Sequence, residues 1–328
     1  MEKVVLPKTL KGKTVLVSGA AGFVPSTLAE FYLNLGADVI GLDNFITGSR
    51  SNIKILEKYE KFRFHECNIF NKIPSFKGKK INYIFSLASP ASPLDFQTVP
   101  LEIMRVNSAG TLRILELARE KKARFLLAST SEIYGDPKVH PQDESYFGHV
   151  NSIGPRSCYD ESKRFAEALT MTFHRQYKVN TRIVRIFNTY GPRMRPNDGR
   201  VIPAFINQAL KGEDLTVNGE GNQTRSFCYV TDLVQAIHNV MFSNDPTPFN
   251  CGNPEEYTIK EAAEIIIKTL NSKSKLIFQS FPQDDPQKRR PVMDKLYTMS
   301  DYRPQVSFEE GIKKTAEYFQ LLLKKKKS

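Results

Sequence analysis

The chain is 328 residues long and 40% apolar, and its 47 basic and 35 acidic side chains leave a net charge of +12. That length holds one large α/β domain or two smaller ones, and the ordinary apolar share excludes wholesale disorder. The positive balance favours an anionic partner such as a nucleotide.

The first element is the buried strand "TVLVS", Thr14 to Ser18. Leu28, Phe31, Tyr32 and Leu35 follow at the spacing of one helix face, and Gly36 is a natural stop. "DVIGLD" ends a second strand at Asp43. "INYIFSLAS" and "RFLLAST" read as two more buried strands, with a helical run from Leu101 to Arg119 between them, and "TRIVRIF" as a later one. Strands alternating with helices predict a Rossmann-like, doubly wound parallel sheet. After Phe187 prolines and glycines become frequent, which reads as irregular structure closing over a ligand, with helices near 201–211, 258–271 and 308–323. The expected division is an NAD-binding domain over 1–187 with a return segment near 226–250. A smaller α/β substrate-binding domain covers 188–225 and 251–321, and a basic tail covers 322–328.

Cys67, Cys158, Cys228 and Cys251 form no C-x-x-C pair, so neither a zinc site nor a disulfide framework is indicated. "MEKVVLPKTLKGK" lacks the apolar run of a signal peptide, and no stretch approaches the roughly 18 apolar residues of a membrane span. A reducing, cytoplasmic setting with no membrane partner is expected. No aromatic-basic RNA motif appears, so no nucleic-acid partner is expected either. Lys324 to Lys327 read as a solvated terminus.

"VSGAAGFVPSTLAE" joins the first strand to the first helix. A turn of bare backbone there would approach a pyrophosphate, and the helix would offer free N–H groups and its dipole. Gly19 and Gly22 are in place, but Pro25 holds the third glycine position. Asp43 lies 24 residues beyond Gly19 (43 minus 19), near the roughly 20 expected for the acid that holds the ribose hydroxyls. That acid would repel a 2′-phosphate, so NAD is expected rather than NADP. Pro25 falls in the helix's first turn, where its missing N–H has no partner to lose. Its ring is expected to push the helix outward or to be met by Ala20 or Ala21.

"ASTSEIYGD" begins where a strand ends, and about 30 residues on "CYDESKRFAE" places Tyr159 and Lys163 at i and i+4 of one helix. Alone, that pair is often only a surface contact. Combined with the strand end, it supplies a phenol whose proton loss an ammonium and a positive nicotinamide would favour. Tyr159 would then take a proton from a sugar hydroxyl that Thr130 also holds.

"GAAGF", "LASPASP", "STSEIYGD", "GHVNSIGPRSCYDESKR", "RIFNTYGPRM", "NDGRV", "QTRSF" and "DDPQKRRP" together resemble the UDP-glucuronate decarboxylases, a group within the extended short-chain dehydrogenase/reductase family. The resemblance runs from about Lys11 to Phe319. It implies a UDP-sugar substrate, NAD recycled within each turnover, and a homodimer built from helices at 101–119 and 159–176. Phe165, Leu169 and Phe173 are compatible with such an interface or with the core. The implied catalytic set is Thr130, Glu132, Tyr159, Lys163 and Arg289, with Arg289 facing the sugar carboxylate. Implied cofactor contacts are Gly19, Gly22, Phe23, Val24, Asp43, Asn44, Thr47, Gly48, Asn68, Ile69, Leu87, Ala88, Tyr159 and Lys163. Implied substrate contacts are Ser89, Arg105, Asn188, Arg200, Val201, Thr216, Arg225 and Arg289.

Related 4,6-dehydratases place an acidic pair after the threonine, one member of which helps expel a hydroxyl. Here Ser131 replaces the first acid, and the epimerases typically lack Glu132, so the tripeptide favours decarboxylation. The departures from the group's pattern are Pro25, Asn68, Phe96, Thr98, Glu102, Arg105 and Asn218. They leave two alternatives in view: a 4,6-dehydratase or 4-epimerase on another nucleotide sugar, and a catalytically silent nucleotide-sugar binder.

Overall fold

A computed structural model describes residues 3–280 and 286–327 of the chain. Asp284 and Asp285 of the "DDPQKRRP" run, the side chains of Lys325 to Lys327, and Ser328 lie outside the described residues. Seven parallel strands form the central sheet: β1 (Thr14–Ser18), β2 (Asp38–Asp43), β3 (Phe62–Glu66), β4 (Tyr83–Ser86), β5 (Arg124–Thr130), β6 (Thr181–Ile186) and β7 (Phe249–Cys251). Their spatial order is β7-β6-β5-β4-β1-β2-β3. The order reverses between β1 and β4, and such a switch point opens a crevice at the carboxyl ends of the strands.

Strands buried on both faces read as continuous apolar runs, which is why β1, β2, β4, β5 and β6 are legible in the sequence. Two strands are not. β3 is an edge strand whose exposed Arg63 and Glu66 break the apolar run, and β7 is only three residues long.

Alternation along each strand sends side chains to opposite faces. On one face Val15, Val17, Leu126, Ala128 and Val184 pack with α1 (Phe23–Asn34) and α8 (Val230–Phe242). On the other, Leu16, Phe125, Leu127 and Ile183 pack with α5 (Thr111–Lys121) and α6 (Ser157–Tyr177). A third cluster joins α7 (Val201–Lys211), α9 (Ile259–Thr269) and α11 (Phe308–Lys327) through Ile202, Phe205, Ile206, Ala263, Ile266, Ile312 and Phe319. Met293, Leu296 and Met299 do not join it; they pack on the sheet with β7. Helix α11 continues to Lys327, through most of the segment expected as a separate tail.

The run expected as one helix from Leu101 to Arg119 is interrupted. Helix α4 (Pro100–Arg105) passes into a π-turn at Val106–Gly110 before α5 begins. Such bulges collect at functional sites. A Cβ on Gly110 would stand 3.1 Å from Ile69, so the helix packs tightly on the turn that follows β3. The bulge also turns the Asn107 amide to donate to Ser89 Oγ at 3.1 Å and Ser162 Oγ at 3.0 Å.

Helix α6 is fixed to the sheet by a buried two-pronged ion pair. Arg185 Nε and Nη2 donate to the Glu167 carboxylate at 3.0 and 2.8 Å, and Ser129 Oγ donates to it at 2.6 Å. Because Arg185 is buried, Glu167→Ala would strand its charge. Denaturant unfolding is expected to show a loss of roughly 3–5 kcal/mol.

Candidate active site

The crevice is a cavity of about 520 Å³ running along the carboxyl ends of β1, β2, β4, β5 and β6. At its cofactor end the chain leaves β1 through Gly19, whose φ is +79°. A Cβ there would stand 2.9 Å from the Ala88 backbone, so glycine is required both by conformation and by close approach. Ser18 Oγ accepts from the Leu87 and Ala88 N–H groups at 3.1 and 3.2 Å, which pins the end of β4 beside this turn. Gly22 caps α1, and Pro25 sits in its first turn, where no intrahelical bond is lost. A Cβ on Gly22 would stand 3.4 Å from Pro25 Cδ, and Ala20 and Ala21 approach Gly41 and Gly48.

Asp43 ends β2. Its Oδ2 accepts from the Ala21 N–H at 2.9 Å and its Oδ1 from the Phe45 N–H at 2.7 Å. Burial raises its pKa, and these backbone donors act against that. Phe23, Val24, Asn44, Thr47, Gly48, Asn68, Ile69, Leu87 and Ala88 line the same end. Asn52 also lines it, with a buried Oδ1 that has no partner among the described residues. A bare-backbone turn at a helix start, an acid at the second strand's end and an orphaned acceptor suit a dinucleotide such as NAD.

At the chemistry end, β5 stops at Thr130 and a short turn, Ser131–Tyr134, follows, with Thr130 Oγ1 accepting from the Glu132 N–H at 3.2 Å. Tyr159 and Lys163 project from the first turns of α6 and are both buried. Phe96, on α3 (Pro93–Thr98), stacks on Tyr159 with ring centroids 5.0 Å apart. Burial pushes the Tyr159 phenol well above its ordinary value, against a hydrogen bond with Thr130. Burial pulls the Lys163 ammonium down to about 7. Lys163 Nζ donates to the Ala128 carbonyl at 2.9 Å and stands 5.8 Å from the Tyr159 ring centre. The expected lowering of the phenol by this ammonium is therefore outweighed by desolvation in the protein by itself.

Glu132 is half-buried between two guanidinium groups. Arg156 Nη2 donates to its Oε2 at 2.6 Å and Arg289 Nη1 to its Oε1 at 3.0 Å. Burial would raise its pKa, but Arg289 and Arg156 bring it down to about 2, so it is a carboxylate at neutral pH. Nearby Asp160 goes the other way. Burial and the Glu132 charge push it up to about 8, and its buried Oδ1 has no partner among the described residues.

Ser89, Asn188, Arg200, Val201 and Arg225 line the cavity, as do Thr130, Glu132, Tyr159 and Lys163. Three expected substrate contacts are not among its lining residues. Arg105 is exposed, with its guanidinium 6.0 Å from the Phe70 ring centre. Thr216 spends its hydroxyl accepting from Gln208 Nε2 at 3.0 Å. Arg289 is buried behind Glu132 and Ser131. Conversely, Arg156, Arg193 and Arg195 reach the wall without having been singled out in the sequence. Arg156 stands three residues before Tyr159 and seven before Lys163, one helix face, and that spacing was the available signal. Arg195 pairs with Asp95 at 2.9 Å across the cavity mouth, and Ser92 Oγ donates to the Asp198 carbonyl beside it.

Residues 15–252 match the model of the NAD dependent epimerase/dehydratase family. The chain is 47% identical over 307 residues to UDP-glucuronic acid decarboxylase 1 of Danio rerio, covering 94% of this chain and 72% of that one. It is 44% identical over 310 residues to UDP-glucuronic acid decarboxylase 3 of Arabidopsis thaliana, covering 94% and 90%. Among solved structures, UDP-glucuronic acid 4-epimerase from Bacillus cereus, in complex with UDP-glucuronic acid and NAD, superposes with a TM-score of 0.85. Its identity is 27%, and the match covers 94% of this chain and 99% of that one.

The depressed Lys163 has a consequence for stability in the cofactor-free protein. Between about pH 7 and its ordinary value of 10.5 the unfolded chain holds a proton that the folded chain lacks, so stability rises with pH in that window. Lys163→Met removes the group. Denaturant titrations are expected to show the wild type less stable than the variant at pH 7, with the gap closing toward pH 10.

Proposed function

This chain belongs to the NAD dependent epimerase/dehydratase family, and from that premise we propose that it decarboxylates UDP-glucuronate to UDP-xylose, with NAD restored in each turnover. The observation that carries the reading is the tripeptide Thr130-Ser131-Glu132 at the end of β5, facing Tyr159 and Lys163 across one cavity. It stands in a chain 44–47% identical to decarboxylases over 94% of its length.

NAD, when bound at the Gly19 turn and Asp43, would supply reversible hydride chemistry at carbon 4 of the sugar. Tyr159 takes the proton of the carbon 4 hydroxyl, which Thr130 holds in place. Lys163, poised near neutrality, assists this step only while protonated. The resulting ketone stands β to the carboxylate. When the bond to carbon 6 breaks, carbon dioxide leaves and its electron pair is accepted through carbon 5 onto the ketone oxygen. Carbon 5 is then protonated. Glu132 is already ionised and has no proton to give a departing hydroxyl, and Ser131 is no acid. Both facts argue for decarboxylation over dehydration. Asn188, Arg200 and Arg225, which line the same cavity, suit the uridine diphosphate.

A homodimer through α4, α5 and α6 belongs to the same proposal. Leu101, Met104, Leu112 and Phe165 are large apolar side chains on these helices that stay exposed. Phe173 is buried in the core instead, and Leu169 packs half-buried against it. Among the described residues no helix is long and apolar enough to cross a membrane. The four free thiols fit a reducing, cytoplasmic compartment.

Incubation with UDP-glucuronate and NAD, with products resolved by mass, is expected to give carbon dioxide and UDP-xylose. Tyr159→Phe is expected to lower kcat roughly 10²- to 10⁴-fold. Wild-type protein that yields neither product nor a 4-keto sugar would sink the proposal. Light scattering is expected to report a dimer, and Phe165→Glu a monomer; a wild-type monomer would refute the interface.

A further inference from the structure

A substrate that carries a carboxylate beside its reacting carbon needs a cation within reach of it. By resemblance that cation is Arg289, but Arg289 does not line the cavity. It is 1% exposed. Its Nη1 donates to Ser131 Oγ at 2.9 Å and to Glu132 Oε1 at 3.0 Å, and its Nη2 donates to the Gly135 carbonyl at 2.7 Å. Turning it toward a sugar would break all of these contacts in a buried place.

Arg156 has the location that Arg289 lacks. It lines the cavity, and its guanidinium lies 5.5 Å from the centre of the Phe96 ring, which stacks on Tyr159. One aromatic ring thus neighbours both this cation and the phenol. A planar guanidinium resting on a ring face keeps its N–H edge directed outward, which suits two carboxylate oxygens. Like Arg156, three other lining arginines already pair with an acid: Arg193 with Glu30, Arg195 with Asp95 and Arg200 with Asp198. What sets Arg156 apart is that its acid is Glu132, two residues beyond Thr130.

We propose that Arg156 receives the sugar carboxylate, while Arg289 remains behind Glu132 and holds that side chain in place. The assignment rests on the decarboxylase reading and adds the residue that distinguishes an acid sugar from a neutral one. Its bond to Glu132 is part of the device. As the bond between carbons 5 and 6 breaks, carbon dioxide departs neutral and its electron pair moves into the ring. A cation that held only the carboxylate would oppose that loss of charge. Arg156 shares its charge with Glu132, an anion that stays, so it is not stranded when carbon dioxide leaves.

The test separates carboxylate recognition from general integrity. In the holoenzyme carrying Tyr159→Phe to prevent turnover, calorimetry compares UDP-glucuronate with UDP-xylose, which lacks the carboxylate. Adding Arg156→Gln is expected to weaken UDP-glucuronate roughly 10- to 150-fold, while UDP-xylose stays within about threefold of its starting affinity, inside the context scatter of a neutral contact. Arg156→Lys is expected to recover part of the loss, and Arg289→Gln to weaken both ligands alike. Equal weakening of the two ligands by Arg156→Gln, or no change in either, overturns the assignment. So does a carboxylate-specific loss in Arg289→Gln alone. If the Tyr159→Phe enzyme binds neither ligand, the UDP-sugar reading itself falls. If it binds both and the preference survives Arg156→Gln, only the Arg156 assignment falls.

Discussion

A carboxylate held between two guanidinium groups organises the chemical half of this molecule. Glu132 follows the carboxyl end of β5, Arg156 caps α6 and Arg289 comes from a two-residue strand that pairs with Thr224–Ser226. Three parts of the chain, far apart in sequence, meet on one side chain. Removing a partner from such a buried set leaves a charge without compensation, so each member constrains the others. The consequence reaches Tyr159 and Lys163, because Arg156 caps the helix that carries both.

The same clamp sets the protonation pattern. Two cations keep Glu132 ionised, and the Glu132 charge together with burial keeps Asp160 largely protonated at neutral pH. Lys163 loses affinity for its proton because it is buried against a carbonyl rather than paired with an acid. Groups of similar intrinsic chemistry are thereby driven to different charge states within one site, the condition for dividing acid, base and electrostatic roles among them.

Much of this was legible from the chain alone. The five apolar strands, three of the helices after Arg200, the Gly19 turn and Asp43 follow from periodicity and spacing, since local sequence dictates local backbone, whereas α8 was not legible as a helix. The pairing of Tyr159 with Lys163 was visible as a spacing but gained meaning only from the motifs around it. Strand β3 escaped because an edge strand need not be apolar, and β7 because three residues carry no period. The helix break at Val106–Gly110 escaped because the packing around it, Gly110 against Ile69, is a tertiary contact that no local spacing encodes.

The sequence by itself determined the fold class and the cofactor cradle, which depend on residue type and short-range spacing, and it singled out Thr130, Tyr159 and Lys163 by spacing and Glu132 by family resemblance, all four of which line the cavity. Only the tertiary structure decided which arginine faces the cavity. Arg156 and Arg289 are both cations near the motifs, and nothing in their local sequence separates them. Burial does: Arg289 is enclosed by Ser131, Glu132 and Gly135, whereas Arg156 reaches the wall beside Phe96. Desolvation and the geometry of competing hydrogen bonds exist only once distant segments are brought together, and so no reading of the chain in one dimension contains them.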